Sequence, residues 1–249
     1  MTELSLLTWN IRQGGSAARL SLILKWIMHH DADVMVITEF QNKREGSLLQ
    51  SALRDSGWVY QYCPILVPHK NTVLIAARHK FDVIDQPLLP SKDFARCVKI
   101  QTEALALYGV YFAQNQEKVT LWRYLCDAAA QSASERAVII GDFNTGMEGI
   151  DGTGYSCWRA FQELTELWGA DAWRRTHDNQ HDFTWYSHKG KAALRKRHQG
   201  FRIDHAFLSP QLSDHLISAE FSHEVRDAMP AASDHSALCV RLRPVPATI

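Results

Sequence analysis

Seven side chains able to hold a cation, place a water or move a proton stand where short apolar runs stop: Asn10, Glu39, Asp142, Asn144, Asp204, Asp234 and His235. Their settings read Thr8-Trp9-Asn10-Ile11-Arg12, Ile37-Thr38-Glu39-Phe40-Gln41, Ile140-Gly141-Asp142-Phe143-Asn144, Arg202-Ile203-Asp204-His205 and Ser233-Asp234-His235. Polar groups at strand ends can converge above a rigid apolar sheet while the residues before them stay in the core. Glu39 follows Val34-Met35-Val36-Ile37, surroundings that penalise an unpaired carboxylate, and a hard cation would supply the missing partner. The donors are carboxylate and amide oxygens with no thiolate cluster, a set that suits Mg²⁺, with Mn²⁺ as a substitute. Glu39 is the first metal ligand on this reading, and Asn10 and Asp234 are candidates for the same shell. Asp142 could orient or deprotonate a water, and Asn144 could fix that water or a phosphate oxygen. His235 could counter charge on a non-bridging oxygen, with Asp204 keeping the imidazole cationic and correctly turned.

The elements that must position these groups can be read from apolar periodicity, which switches between buried-strand runs and amphipathic helical stretches. Leu4–Ile11 reads as a strand and Ser16–His30 as a helix with Leu20, Ile23, Leu24 and Ile27 on one face. Asp33–Thr38 suits a strand covered on both sides, and helical character returns over Lys43–Asp55. Val73–Ala77, Phe81–Ile84, Ala95–Thr102 and Ala104–Val110 read as strands, with prolines at 64, 68, 87 and 90 between them. A helix is expected over Gln116–Ser132, a buried strand over Ala137–Gly141 and a helix over Cys157–Trp168. The chain closes in strands at Phe201–Leu208, Ala219–Val225 and Ala237–Leu242. No linker, low-complexity tract or close repeat divides residues 1–249, so one domain is expected.

Composition bounds the function. The chain has 249 residues, of which 46% are hydrophobic and 22% charged, and a formal net charge of zero. A whole-molecule field for polyanions is therefore excluded, and any nucleic acid must be met by a local patch. Five scattered cysteines with no CxxC pair argue against a disulfide framework or zinc knuckle and for a reducing, cytoplasmic setting. No signal peptide or membrane span is expected, and a monomer is.

The ordered set TWNIR, ITEF, GDFN, RIDH and SDH resembles the endonuclease/exonuclease/phosphatase superfamily across nearly the whole chain. That resemblance implies a four-layered α/β sandwich, two mixed β-sheets packed face to face with helices outside, and Mg²⁺-dependent phosphoester hydrolysis. It assigns Glu39 to the metal with Asn10 beside it and Asp234 in the ion's inner or outer shell. It makes Asp142 the water-orienting acid, Asn144 a phosphate or water contact, and Asp204 with His235 a hydrogen-bonded pair. A finer resemblance, to the exonuclease III and abasic-site endonuclease branch, rests on Val110-Tyr111-Phe112-Ala113-Gln114, Asp171-Ala172-Trp173-Arg174 and Phe183-Thr184-Trp185-Tyr186. It implies that Tyr111 touches the scissile phosphate, that Arg174, Trp185 and Tyr186 serve the substrate, and that cleavage leaves a 3′-hydroxyl.

DNA is the preferred partner for an independent reason: Lys189, Lys191, Arg195, Lys196, Arg197 and Arg202 crowd one stretch with almost no acids. As a rim loop it could follow a phosphodiester backbone while Trp185 and Tyr186 stack on bases. Each feature has a plainer alternative: a solvated loop for the cations, a turn residue for Asn10, a core tyrosine for Tyr111, an ordinary ion pair for Asp171 and Arg174. His205 should face the opposite side of its strand from Asp204 and be structural. A small-molecule or lipid phosphoesterase and an RNA-directed nuclease remain open beside the DNA enzyme.

Overall fold

The computed structural model of the chain describes residues 3–64, 67–178, 180–187 and 199–244. Among the described residues, thirteen strands fall into two large sheets and a small ribbon. The first sheet is built from β1 (Leu4–Asn10), β2 (Val34–Gln41), β3 (Tyr60–Tyr62), β4 (Asn71–Ala77), β12 (Leu216–Ser222) and β13 (Ala237–Leu242), in the order β12-β13-β1-β2-β4-β3. The second is built from β5 (Asp82–Ile84), β6 (Cys97–Gln101), β7 (Ala106–Tyr111), β8 (Ala137–Asp142) and β11 (Asp204–Leu208), in the order β11-β8-β7-β6-β5. The ribbon pairs β9 (Trp185–Tyr186) with β10 (Gly200–Phe201).

Each large sheet is mixed for the same reason. β1 and β2 run parallel, joined through helix α1 (Ala17–His30), and β7 and β8 run parallel, joined through helix α3 (Val119–Gln131). Parallel neighbours need such a crossover, whereas the remaining pairings are antiparallel.

Alternation along the strands separates the layers. Leu6, Val34, Val36, Ile75, Leu107, Val138, Ile140, Leu238 and Val240 fill the space between the sheets. Their neighbours Leu7, Trp9, Met35 and Ile37 face α1 and helix α2 (Arg44–Asp55), meeting Ile23, Ile27, Leu49 and Leu53. Ile139 and Phe207 face α3 and helix α4 (Trp158–Trp168), meeting Leu121, Trp122, Leu125, Phe161 and Leu164. Three apolar interfaces bounded by two sheets and flanking helices are the expected four-layered α/β sandwich. The sheets approach closely at Gly109, where a Cβ would meet Val36 at 3.1 Å and Ile75 at 3.2 Å.

Three expected elements differ. The run Phe201–Leu208 is broken: β10 ends at Phe201 and β11 begins at Asp204, because Arg202 turns inward to buried acids. Expected strand Ala219–Val225 ends at Ser222, and Glu224–Asp227 forms a short helix that buries Val225 beneath the outer layer. The start of the Gln116–Ser132 helix is a 3₁₀ turn over Asn115–Lys118. Among the described residues, no helix is long and apolar enough to cross a membrane.

Candidate active site

Inner-face positions turn polar at one end of the sandwich. Along β8, Val138 and Ile140 enter the inter-sheet core and Asp142 is the next residue on that face; along β1, Leu6 is followed by Thr8 and Asn10. β11 runs the other way, so Asp204 precedes Ala206 and Leu208. Strand pairing sets Asp142 directly between Tyr111 of β7 and Asp204 of β11. His205 faces the opposite side, packed on Phe143 and Phe161. Before Asp142, Gly141 has φ 155°, and a Cβ there would lie 1.9 Å from the Val110 carbonyl oxygen, so only glycine lets the two strands approach at this level.

Glu39 reaches the site by a different device. Strict alternation would put it under the helices with Met35 and Ile37. Instead it takes φ 53°, the pairing with β4 shifts register between Ile37 and Phe40, and Phe40 takes the outward position. The bulge re-aims the carboxylate, a common use of bulges beside functional sites. Its Oε1 accepts from Asn10 Nδ2 at 3.2 Å and from the Tyr111 hydroxyl at 3.3 Å, and its Oε2 accepts from the Gln13 amide at 2.7 Å.

The remaining groups interlock around Asp142, which is buried. Its Oδ2 accepts from Asn10 Nδ2 at 2.9 Å and Asn144 Nδ2 at 3.5 Å, and its Oδ1 accepts from the Asn144 amide at 2.9 Å. Burial, and then the charge of Asp204, push this carboxyl up to about 7, against the pull of His235, Asn10 and the Asn144 amide. His235 Nδ1 lies 3.0 Å from Asp204 Oδ2, and donor atoms of Asp142, Asp204 and His235 all fall within 4.8 Å of one another. Burial alone would lower the imidazole; the charge and hydrogen bond of Asp204, with Asp142 and Asp234 behind them, raise it to about 10. The Tyr111 hydroxyl is pushed up by burial and by Glu39, so it stays a neutral donor.

These groups open on one cleft of about 510 Å³, which Glu39, Asp142, Asn144, Asp234 and His235 all line. Trp185 lines it too, 6.4 Å from His235 between ring centroids, with its Nε1 donating to Asp234 Oδ2 at 3.3 Å. Tyr186, next on the strand, does not: it lies beneath Arg226 and against Phe183, as alternation on a two-residue strand requires. Arg174 is likewise outside the cleft, committed to Asp151 at 3.0 Å and to the carbonyls of Asp178 and Gln180. Asp171 caps helix α5 (Ala172–His177) and pairs with Arg202, which Asp151 grips from the other side. Arg202 is thus a buried structural cation and no part of a basic rim. Lys189, Lys191, Arg195, Lys196 and Arg197 lie outside the described residues.

Several lining residues escaped the sequence reading: Arg12, Gln13, Lys118, Tyr155 and Phe201. Lys118 is only 1% exposed, donates to the Asn144 carbonyl, and is held by burial down to about 8. Its one sequence signal is a lone lysine leading into an apolar helix face, which ordinarily marks a solvated edge.

The donor set fits a hard cation at Glu39. Its three hydrogen-bond partners among the described residues are neutral, it lies in reach of Asn10, and Asp234 lines the same cleft. The tighter cluster of Asp142, Asp204 and His235 is less suitable, because its imidazole is turned onto Asp204 and held protonated. The Asp204 Oδ1 atom is buried with no hydrogen-bond partner among the described residues, which concentrates negative charge behind His235.

The model described as the endonuclease/exonuclease/phosphatase family matches residues 7–235. No curated protein matches by sequence. Among solved structures, an AP endonuclease from Archaeoglobus fulgidus is similar at 21% identity and TM-score 0.81, over 96% of this chain and 99% of that one. A 3′ phosphatase from Neisseria bound to a product DNA hairpin is similar at 22% identity and TM-score 0.82, over 97% and 100%. A 3′–5′ exonuclease from Neisseria meningitidis is similar at 21% identity and TM-score 0.78, over 97% and 100%. At these identities the likeness shows the fold.

Proposed function

The chain belongs to the endonuclease/exonuclease/phosphatase family and is a phosphodiester-hydrolysing enzyme, and from that premise we propose that it cleaves DNA with Mg²⁺, Mn²⁺ serving as substitute. One observation carries the reading: a carboxyl poised near neutrality, a cationic imidazole and a glutamate whose hydrogen-bond partners among the described residues are neutral share one cleft. DNA is favoured because the three similar solved structures, two of them of the Neisseria protein NExo, are described as an AP endonuclease, a 3′ phosphatase bound to a product DNA hairpin and a 3′–5′ exonuclease.

Glu39 would hold the ion, with Asn10 and Asp234 beside it; when bound, it would supply Lewis-acid stabilisation of phosphate and leaving oxygen. Asp142 takes the proton of the attacking water, for which a pKa near the working pH is the useful value. Asn10 and Asn144 fix which oxygen of Asp142 faces that water. His235, held by Asp204, donates to the phosphoryl oxygen on which charge grows. Tyr111 keeps a neutral hydroxyl on Glu39 Oε1, where it would donate to the same phosphate. Trp185 offers a ring beside His235 for the sugar or base adjoining the bond.

The test is a panel under Mg²⁺ and under chelator: supercoiled DNA, duplex with one abasic site, duplex with a 3′-phosphate, RNA and inositol phosphates. Chelator-sensitive cleavage of a DNA member is expected. Turnover confined to RNA or to inositol phosphates overturns the DNA reading in favour of those substrates.

A further inference from the structure

Arg12, Gln13, Gly14 and Gly15 take φ of 54°, 53°, 68° and 70° in succession, a left-handed run that non-glycine residues keep only where their surroundings hold them. Here the surroundings do so thoroughly. Lys43 Nζ donates to the carbonyls of Gln13 and Gly15 at 2.9 and 3.0 Å. Arg19 donates to the carbonyls of Ile11, Arg12 and Ala232. The Arg12 amide is bonded to Asn10 Oδ1 and the Gln13 amide to Glu39 Oε2. Gly14 is pressed against Gln41, where a Cβ would come within 2.8 Å.

The backbone is therefore locked, yet the Arg12 side chain is 60% exposed and lines the cleft. Among the described residues its acidic partner is Asp234, whose Oδ2 lies 4.0 Å from Nε and already accepts from Trp185 Nε1 at 3.3 Å. The contact is on Nε, so among the described residues both terminal nitrogens keep their donors for the cleft. As a stability device so exposed a pair is worth little. As a mount for a phosphate-binding fork it is well made: planar donors matched to phosphate oxygens, on a rigid turn, beside and not inside the Asp142–His235 pair.

We propose that Arg12 binds a second phosphate of the substrate, adjoining the scissile one, so that the enzyme requires a chain of at least two phosphates. This rests on the phosphodiesterase reading above and narrows its substrate class. Phosphate contacts beside the reacting group fix the register of a polynucleotide.

Wild type, Arg12→Ala and Arg12→Lys are compared under Mn²⁺ on an end-labelled DNA oligonucleotide and on bis(p-nitrophenyl) phosphate, which carries one phosphate. Arg12→Ala should raise KM for the oligonucleotide about tenfold and flatten its log–log salt dependence by about one. The fall in kcat/KM should be several-fold smaller on the single-phosphate ester, and Arg12→Lys should recover part of the loss. Mn²⁺ affinity, read by titration without substrate, should stay within about twofold of wild type. Equal losses on both substrates, an unaltered salt slope or a large change in Mn²⁺ affinity overturns the proposal, leaving Arg12 a structural partner of Asp234. If wild type leaves every DNA intact, the DNA reading falls by itself. The comparison of wild type with Arg12→Ala on the substrate that is cleaved then decides the Arg12 proposal, with an end-labelled RNA oligonucleotide replacing the DNA one or inositol bisphosphate set against monophosphate: a loss confined to the substrate with more than one phosphate supports it, and equal losses or none refute it.

Discussion

Asp142 and His235 are displaced so that both are in working form over one range of pH: the carboxyl ionises above about 7 and the imidazole keeps its proton to about 10. kcat/KM is expected to rise as pH passes the first value and fall near the second. Asp204→Asn removes the charge that lifts the imidazole, so the alkaline limb should move to lower pH; a limb that stays put would detach His235 from it. The same burial costs stability, with a definite sign. A carboxyl whose folded pKa lies above its ordinary 3.8 keeps a proton that the unfolded chain has released, so stability falls as pH climbs from about 4 to 7. Asp142→Asn should cut turnover by at least about 10²-fold and yet raise the Tm of metal-free protein at pH 8. Rate assays and calorimetry on one sample check both, and an unchanged or lower Tm would deny that the carboxylate is held at a cost.

At the scale of elements, what could be read from sequence is what period two and short apolar runs encode. Asn10, Asp142 and Asp204 were legible because each follows or opens an alternating strand, and the sheets need only align those strands. Glu39 was legible as a residue and not as a geometry, since one left-handed residue reverses the alternation that places it. Tyr186, Arg174 and Arg202 looked like substrate groups because aromatic and basic types serve cores and clefts alike. Only the tertiary positions of Arg226 and Asp151 decide between the two. The Arg202 network is also a prediction. Arg202→Met leaves Asp151 and Asp171 buried without their main cation and should cost about 3–5 kcal/mol in urea unfolding. Gly141→Ala should cost at least about 2 kcal/mol, because the added carbon meets the Val110 carbonyl and the backbone is one that alanine rarely adopts.

For the molecule as a whole, zero net charge leaves no overall charge to draw in a polyanion, so recognition falls to local patches. A cation bound only by the folded chain must stabilise it by mass action. Mn²⁺ at saturating concentration is expected to raise the Tm of wild type by several degrees and that of Glu39→Gln by much less; equal shifts would move the ion away from Glu39. The order of layers has one more consequence. The inner faces pass from valine, isoleucine and leucine to aspartate, asparagine and glutamate within a single pleat, making the ceiling of the oily compartment the floor of the wet one. Loosened hydrocarbon below must tilt the reacting groups above, so on slow warming the catalyst should fall silent before circular dichroism registers any lost strand.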